Sequence, residues 1–216
     1  MISPLVLEAN AMLADKGFDY AFCGGYAIDL FLGYESRKHG DIDVSVYRED
    51  RNSIIPYMHS LGFSVYEMLG GGKAHRIMDI ADQERKKRNI FCCTEDCGLV
   101  DLVRTDEKDV FWIDFHHIGQ SKLNFIEFLF DDRSEHGFLY ARNHQITRKL
   151  EDAILRREGI PYLAPELCLL YKSTDIGREG YQQDYDLAIP RMNRNQIEWL
   201  NASLDVCYAE KHPWRG

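Results

Sequence analysis

The sequence predicts an α+β protein with an ordered core, and three observations support this class. The chain has 216 residues, of which 45% are hydrophobic, so it can bury a globular core. Most strand patterns lie between residues 18 and 118, where short apolar runs end at glycine or polar residues. Helical spacing dominates beyond residue 134, so we predict one domain over residues 1–133 and a helical domain over residues 134–216.

The first predicted domain opens with a helix and continues through strands. Apolar residues at helical spacing over residues 2–16 are followed by Gly17, which suits a helix cap. Further helices are predicted after Gly24 and over residues 52–61 and 123–130, the last of them buried. Strands are predicted over residues 18–23, 41–46, 63–67, 89–93, 99–103 and 110–118, with a turn at 70–72.

The second predicted domain follows a surface connection at residues 131–134. Its helices are predicted over residues 147–158, 165–174, 179–189 and 193–208. Pro165 suits the first turn of the second of these helices, and Asn193 suits the N-cap of the last.

The overall charge and the N-terminal residues predict a cytoplasmic protein with small partners. A formal net charge of -9 disfavours binding to long nucleic acid. The N-terminus lacks a basic segment followed by an apolar one, and no run of ~18 apolar residues occurs, so we expect no membrane association. The six cysteines are interpreted as reduced thiols, because no fourth ligand completes a zinc site near Cys92, Cys93 and Cys97. Residues 85–88 are basic and are interpreted as solvated surface, with triphosphate binding as the alternative.

Two aspartates and two glycines carry the clearest chemical signal. Asp41 and Asp43 are one residue apart on a predicted strand, so both side chains point to the same face. Two neighbouring carboxylates are unfavourable without a cation, and Mg²⁺ prefers such oxygen ligands. Gly24 and Gly25 precede a helix and allow its N–H groups to approach a phosphate. The combination predicts metal-assisted phosphoryl or nucleotidyl chemistry.

A third carboxylate is predicted at Asp114. It lies between Ile113 and Phe115 in a strand pattern, so burial of those two side chains would present Asp114 on the other face. Asp101 has the same apolar flanks and is the alternative.

These motifs resemble the nucleotidyltransferase superfamily that includes DNA polymerase beta, and within it the nucleotidyltransferases that modify aminoglycosides and lincosamides. The resemblance is carried by residues 24–30, Gly33, Arg37, His39, 41–43, 113–116, 160–166, 169–172 and Asp184. It implies a mixed β-sheet flanked by helices, with a helical C-terminal domain. It also implies transfer of a nucleoside monophosphate from a nucleoside triphosphate, most often ATP, to a hydroxyl of a small molecule, with release of pyrophosphate.

The resemblance also implies a role for each site residue. Asp41, Asp43 and Asp114 would hold two Mg²⁺ ions, ~4 Å apart in enzymes of this kind, and Asp114 would also accept the proton of the acceptor hydroxyl. Gly24 and Gly25 would lie under the phosphates. The remaining nucleotide-binding residues would be Arg37, His39 and Lys172.

Two departures leave the acceptor open. Tyr26 and His117 stand where relatives often have tryptophan and proline, so the acceptor pocket can differ from one that binds an antibiotic. An antitoxin-like or protein-directed relative without small-molecule turnover is the alternative function.

Overall fold

Residues 1–79, 89–116 and 118–216 are described by a computed structural model, and they form two compact units. Unit 1 comprises Met1–Ile2, Ala21–Ser36 and Asp131–Gly216, and unit 2 comprises Ser3–Tyr20 and Arg37–Phe130. These units overlap the predicted segments only in part, and the domain boundary at residue 133 stays a prediction. The basic cluster at 85–88 and His117 lie outside the described residues. No helix in the described parts of the chain is both long and apolar enough to cross a membrane.

Helices and strands alternate up to the third helix, eight strands then follow one another, and three helices end the described chain. The helices are α1 (Pro4–Leu13), α2 (Gly24–Leu32), α3 (Arg51–Ser60), α4 (Leu150–Ala153), α5 (Pro165–Lys172), α6 (Tyr181–Ala188) and α7 (Arg194–Cys207). The strands are β1 (Tyr20–Phe22), β2 (Asp43–Tyr47), β3 (Ser64–Gly70), β4 (Lys73–Ile77), β5 (Ile90–Cys93), β6 (Val100–Arg104), β7 (Val110–Phe115), β8 (Phe125–Ser134), β9 (Gly137–Leu139), β10 (Thr147–Arg148), β11 (Ile154–Arg157) and β12 (Ile160–Leu163). Parallel and antiparallel pairs both occur, so the predicted α+β class with a mixed sheet is confirmed.

Unit 2 is built on strands in the order β2-β8-β5-β3-β4-β7-β6. One face of this sheet is apolar, because alternate residues such as Val44, Val46 and Val65 are fully buried. Helix α3 packs against β3 and buries Ile54 and Ile55. The β3–β4 hairpin closes at the predicted glycine turn at 70–72, where all three glycines have positive φ.

The opposite face of the unit 2 sheet carries an aromatic cluster. Phe91 of β5 stacks on Tyr66 of β3 at 5.0 Å and on Phe125 of β8 at 5.7 Å between ring centroids. Phe115 of β7 meets Phe91 and Phe125 edge-on, at 5.5 and 5.9 Å. These contacts fix which side chains of β5, β7 and β8 share one face.

Strand β8 corrects the helix predicted over residues 123–130. Ile90 to Cys93 of β5 pair antiparallel with Phe128 to Phe125, so the aromatic run is a central strand. Aromatic and β-branched residues favour such a half-buried pleated surface. The predicted surface connection at 131–134 is also wrong, since it continues this strand and Asp131 is buried, accepting a hydrogen bond from the Tyr171 hydroxyl.

Unit 1 places β12 parallel to β1 and antiparallel to β11. The helix predicted over residues 147–158 is therefore wrong in most of its length. Glu158 and Gly159 both have positive φ and form a two-residue hairpin turn between β11 and β12, for which such a conformation is required. The predicted helices from Pro165 onward are confirmed, and Asn193 caps α7 by accepting a hydrogen bond from the Gln196 N–H.

A buried polar network connects α5 and α7 of unit 1. The Glu166 carboxylate accepts hydrogen bonds from Arg148 Nη2 at 2.7 Å and from Gln196 Nε2 at 2.8 Å. Burial raises the pKa of Glu166 from its usual value, and Arg148 opposes that effect only in part.

Candidate metal centre

Three half-buried carboxylates lie together in unit 2. One carboxylate oxygen from each of Asp41, Asp43 and Glu127 lies within 4.8 Å of the others. Oxygen ligands at this spacing fit a hard divalent cation such as Mg²⁺. The strands therefore bring the predicted pair Asp41 and Asp43 together with a third carboxylate that the sequence analysis did not single out.

Strand geometry explains how this group forms. Asp43 is the first residue of β2. Asp41 lies two residues before it, and Ile42 between them is fully buried. The alternation turns Ile42 to the core and both carboxylates to the opposite side. Glu127 comes from β8, and its N–H donates to the Ile42 carbonyl at 2.9 Å, so the pairing of the backbones sets the third carboxylate beside the other two.

Asp114 is not a member of this cluster, which corrects the predicted third ligand. It lies on β7 between Ile113 and Phe115, as expected, and these two pack on the aromatic cluster. Because Phe115 contacts Phe125, which precedes Glu127 by two residues, the inner face of β7 is the one that faces the carboxylate side of the sheet. Asp114 therefore points to the outer face, where it is exposed.

The alternative residue, Asp101, lies on that same outer face. It pairs with Asp114 across β6 and β7, and its carboxylate lies 3.0 Å from His116 Nε2. Asp101 is therefore not in the cluster either. Glu127 was missed because its apolar run was interpreted as a helix, although it has the same signal as Asp114: one acidic residue between two bulky apolar ones, Ile126 and Phe128.

Gly24 and Gly25 form the first turn of α2 in unit 1. Gly24 has a φ of 63°, which favours glycine, and Cys23 before it is extended, so the chain turns sharply into the helix. The first N–H groups of a helix lack partners within it and attract anions. A helix begins at the glycine pair, as predicted, and the binding of phosphate there stays a prediction.

Arg37 and His39 lie in the loop that leads to Asp41. The start of this loop is fixed in unit 1, where Asp29 Oδ1 accepts hydrogen bonds from the Ser36 N–H and hydroxyl at 2.9 and 2.5 Å. Arg37 Nη1 donates to the Lys38 carbonyl at 3.3 Å, and His39 is buried. The predicted contact of either residue with a nucleotide is not tested by these distances.

Lys172 has a structural partner inside unit 1. Its ammonium group lies 3.0 Å from Asp184 Oδ2 and 4.2 Å from the centre of the Tyr181 ring, and the side chains of Lys172 and Asp184 are at most 6% exposed. The positive charge is thus matched by a buried carboxylate. This geometry supports a role in stability, and the predicted contact of Lys172 with a triphosphate gains no support.

Comparisons with known proteins give a family-model match and several structural matches. The family model described as aminoglycoside-2''-adenylyltransferase matches residues 5–69. No curated protein matches the sequence. The solution structure of the antibiotic-resistance factor ANT(2'')-Ia aligns with 97% of this chain and 95% of its own, at 15% identity and a TM-score of 0.53.

Two crystal structures give the same result. ANT(2'')-Ia in complex with adenylyl-2''-tobramycin aligns over 95% of both chains, at 15% identity and a TM-score of 0.54. The lincosamide antibiotic adenylyltransferase LnuA with lincomycin bound aligns with 88% of this chain and 99% of its own, at 12% identity and a TM-score of 0.52. The chain has the nucleotidyltransferase fold.

The resemblance predicted from the motifs is therefore confirmed. The family-model match contains both glycines and both aspartates of the predicted site, and the structural matches span nearly the whole chain. Glu127 lies beyond residues 5–69, so its assignment depends on the geometry of the carboxylate cluster alone. Both kinds of comparison agree with the fold that the resemblance implies.

Proposed function

We propose that this protein transfers a nucleoside monophosphate from a nucleoside triphosphate, with ATP as the expected donor, to a hydroxyl of a small molecule in the cytoplasm. The observation that carries the proposal is the cluster of Asp41, Asp43 and Glu127. The nucleotidyltransferase fold supports it, as do the antibiotic substrates named for ANT(2'')-Ia and LnuA. An aminoglycoside- or lincosamide-like acceptor is the expected class.

The donor set fits magnesium. Asp41, Asp43 and Glu127 offer carboxylate oxygens only, the ligand type that Mg²⁺ prefers, and no softer ligand is in the group. Bound Mg²⁺, one ion or the predicted two, would neutralise the triphosphate and the charge that develops during displacement. Binding of the cation would also relieve the repulsion among the three carboxylates.

The chemical step that we propose is an in-line displacement. The acceptor oxygen forms a bond to the α-phosphorus, the bond from that phosphorus to the bridging oxygen breaks, and pyrophosphate leaves with the electron pair. The acceptor proton passes to a Glu127 carboxylate oxygen, provided that the hydroxyl lies within hydrogen-bond reach. Asp41 and Asp43, just before and at the start of β2, position the donor.

The residues predicted to bind the nucleotide keep their proposed roles. Gly24 and Gly25 would offer backbone N–H groups to phosphate oxygens, and Arg37 would contribute positive charge. His39 would orient the loop before Asp41. Lys172 is left out of this proposed set because it is engaged with Asp184.

The test is release of pyrophosphate from ATP with and without Mg²⁺, in the presence of candidate hydroxylated acceptors. We expect release that requires both Mg²⁺ and an acceptor, and loss of activity in Asp41→Asn. Equal activity in the variant would disprove the proposal. A single stoichiometric protein partner in a pull-down, with no turnover of small molecules, would favour the antitoxin-like alternative instead.

A further inference from the structure

A row of partly exposed apolar side chains lies on the aromatic face of the unit 2 sheet. Phe111, Ile113 and Phe115 alternate along β7, and Leu102 of β6 and Met68 of β3 lie beside them. All five pack on the buried aromatic cluster without being fully covered by it. This face therefore carries apolar side chains that are partly exposed.

The row is continuous with the candidate metal centre through Glu127. In the β5–β8 pairing, Phe91 is directly opposite Glu127, so their side chains share one face. Phe125 shares it too, because it is two residues before Glu127. Phe115 contacts both of these rings edge-on, at 5.5 and 5.9 Å. Phe115 therefore packs against the two rings that flank Glu127 on this face.

The charges on this face decide what kind of molecule fits. Over the described strands β3 to β7, alternation places no acidic side chain on it, and the charged residues that share it are Arg76 and Arg104. Arg76 Nη2 donates to Ser64 Oγ at 3.0 Å, which holds its charge beside the cluster. Arg104 lies opposite Phe111, at the far end of β7 from Phe115, so Arg76 is the cation on this face of the described strands that a molecule with several ammonium groups would meet beside the cluster.

We propose that the acceptor is a hydroxylated molecule with an apolar portion and at most one positive charge, and that its apolar portion contacts Phe115. This inference rests on the proposed function, because it uses Glu127 as the group that meets the acceptor hydroxyl. Polycationic aminoglycosides are then poor acceptors, and lincosamide-like chemistry is preferred.

The test uses lincomycin, which has an alkyl chain and a single basic amine, and tobramycin, which has several amino groups. With Mg²⁺ and ATP, we expect a kcat/KM at least about 10-fold higher for lincomycin. Phe115→Ala raises the KM for lincomycin roughly 10-fold and leaves the KM for ATP unchanged, while Phe115→Leu restores much of the loss. Preference for tobramycin would overturn the inference.

Phe111→Ala is the matched control. Phe111 is on the same strand and face, but its ring contacts Tyr66 at 5.8 Å rather than Phe91 or Phe125. We expect little change in the KM for lincomycin, and equal losses in both alanine variants would show a structural effect and overturn the inference. Calorimetric binding of lincomycin without nucleotide separates the two proposals. Binding that depends on Phe115 without turnover disproves only the enzyme, whereas turnover that is insensitive to Phe115 disproves only this inference.

Discussion

In unit 2, three carboxylates from two strands share one small space, whereas in unit 1 the buried carboxylates Asp184 and Glu166 each face a basic side chain. Asp184 pairs with Lys172 at 3.0 Å, and Glu166 with Arg148 at 2.7 Å. Removing one partner of a buried ion pair leaves an uncompensated charge and destabilises the fold, while a group of carboxylates favours a bound cation. The comparison separates acidic residues that serve structure from those that serve binding.

The largest effect is expected from a substitution in the carboxylate cluster of unit 2. Glu127→Gln keeps the shape of the side chain but removes its charge and basicity, so kcat for pyrophosphate release falls about 10²–10⁴-fold. Asp114→Asn, on the outer face of β7, is the control and keeps activity close to that of the original protein. The opposite pattern in steady-state kinetics would restore Asp114 as the third carboxylate.

The next largest effect is expected from a substitution in the Lys172–Asp184 ion pair of unit 1. Lys172→Met leaves Asp184 buried without its cation, which costs about 3–5 kcal/mol and lowers the Tm by roughly 6–20 °C. Lys149→Met removes a cation that is 75% exposed and changes stability by less than about 1 kcal/mol. Calorimetric melting measures both. A raised KM for ATP in folded Lys172→Met would instead support its predicted contact with the triphosphate.

The response of the Tm to Mg²⁺ tests the carboxylate cluster without any acceptor. A cation at 100 times its Kd stabilises the folded protein by about 2.7 kcal/mol, so Mg²⁺ raises the Tm of the original protein. Asp43→Asn abolishes that rise, because it removes one of the three carboxylate ligands. Asp101→Asn keeps the rise. If Asp43→Asn responds to Mg²⁺ as the original protein does, the ions bind elsewhere.

The smallest expected effect concerns pH and the Glu166 network. Burial raises the pKa of Glu166 above its usual value of 4.5, so the folded protein holds this proton more tightly than the unfolded chain does. Its contribution to stability is therefore complete below about pH 4.5 and declines as the pH rises through the raised pKa. Urea unfolding at several pH values should show this decline in the original protein and not in Glu166→Gln. If the free energy of unfolding depends on pH in the same way in both proteins, Glu166 is not the group responsible.

The sequence was sufficient to predict features that depend only on neighbouring residues. Pro165 begins α5 and Asn193 caps α7, because both act through neighbouring backbone groups. Asp41 and Asp43 were predicted together for the same reason, since alternation along one strand sets their common face.

Signals that depend on distant pairing were misinterpreted. The run at 123–130 is apolar throughout, so its periodicity does not separate a buried helix from a central strand, and the pairing with β5 decides. The third carboxylate was missed for the same reason. Glu127 lies beside Asp41 and Asp43 because its backbone N–H pairs with the Ile42 carbonyl, which the local sequence does not indicate. Asp114 has the right local pattern, but its strand turns it to the outer face.

The alternation along β7 also bears on how such a protein could change its substrates during evolution. Phe115 faces the aromatic cluster and Asp114 faces away from it. One codon inserted within β7 would exchange the two faces, as a β-bulge does in natural sheets. A negative charge would then replace a ring that packs on Phe91 and Phe125, so a single insertion would convert an apolar part of this face into one that attracts amines.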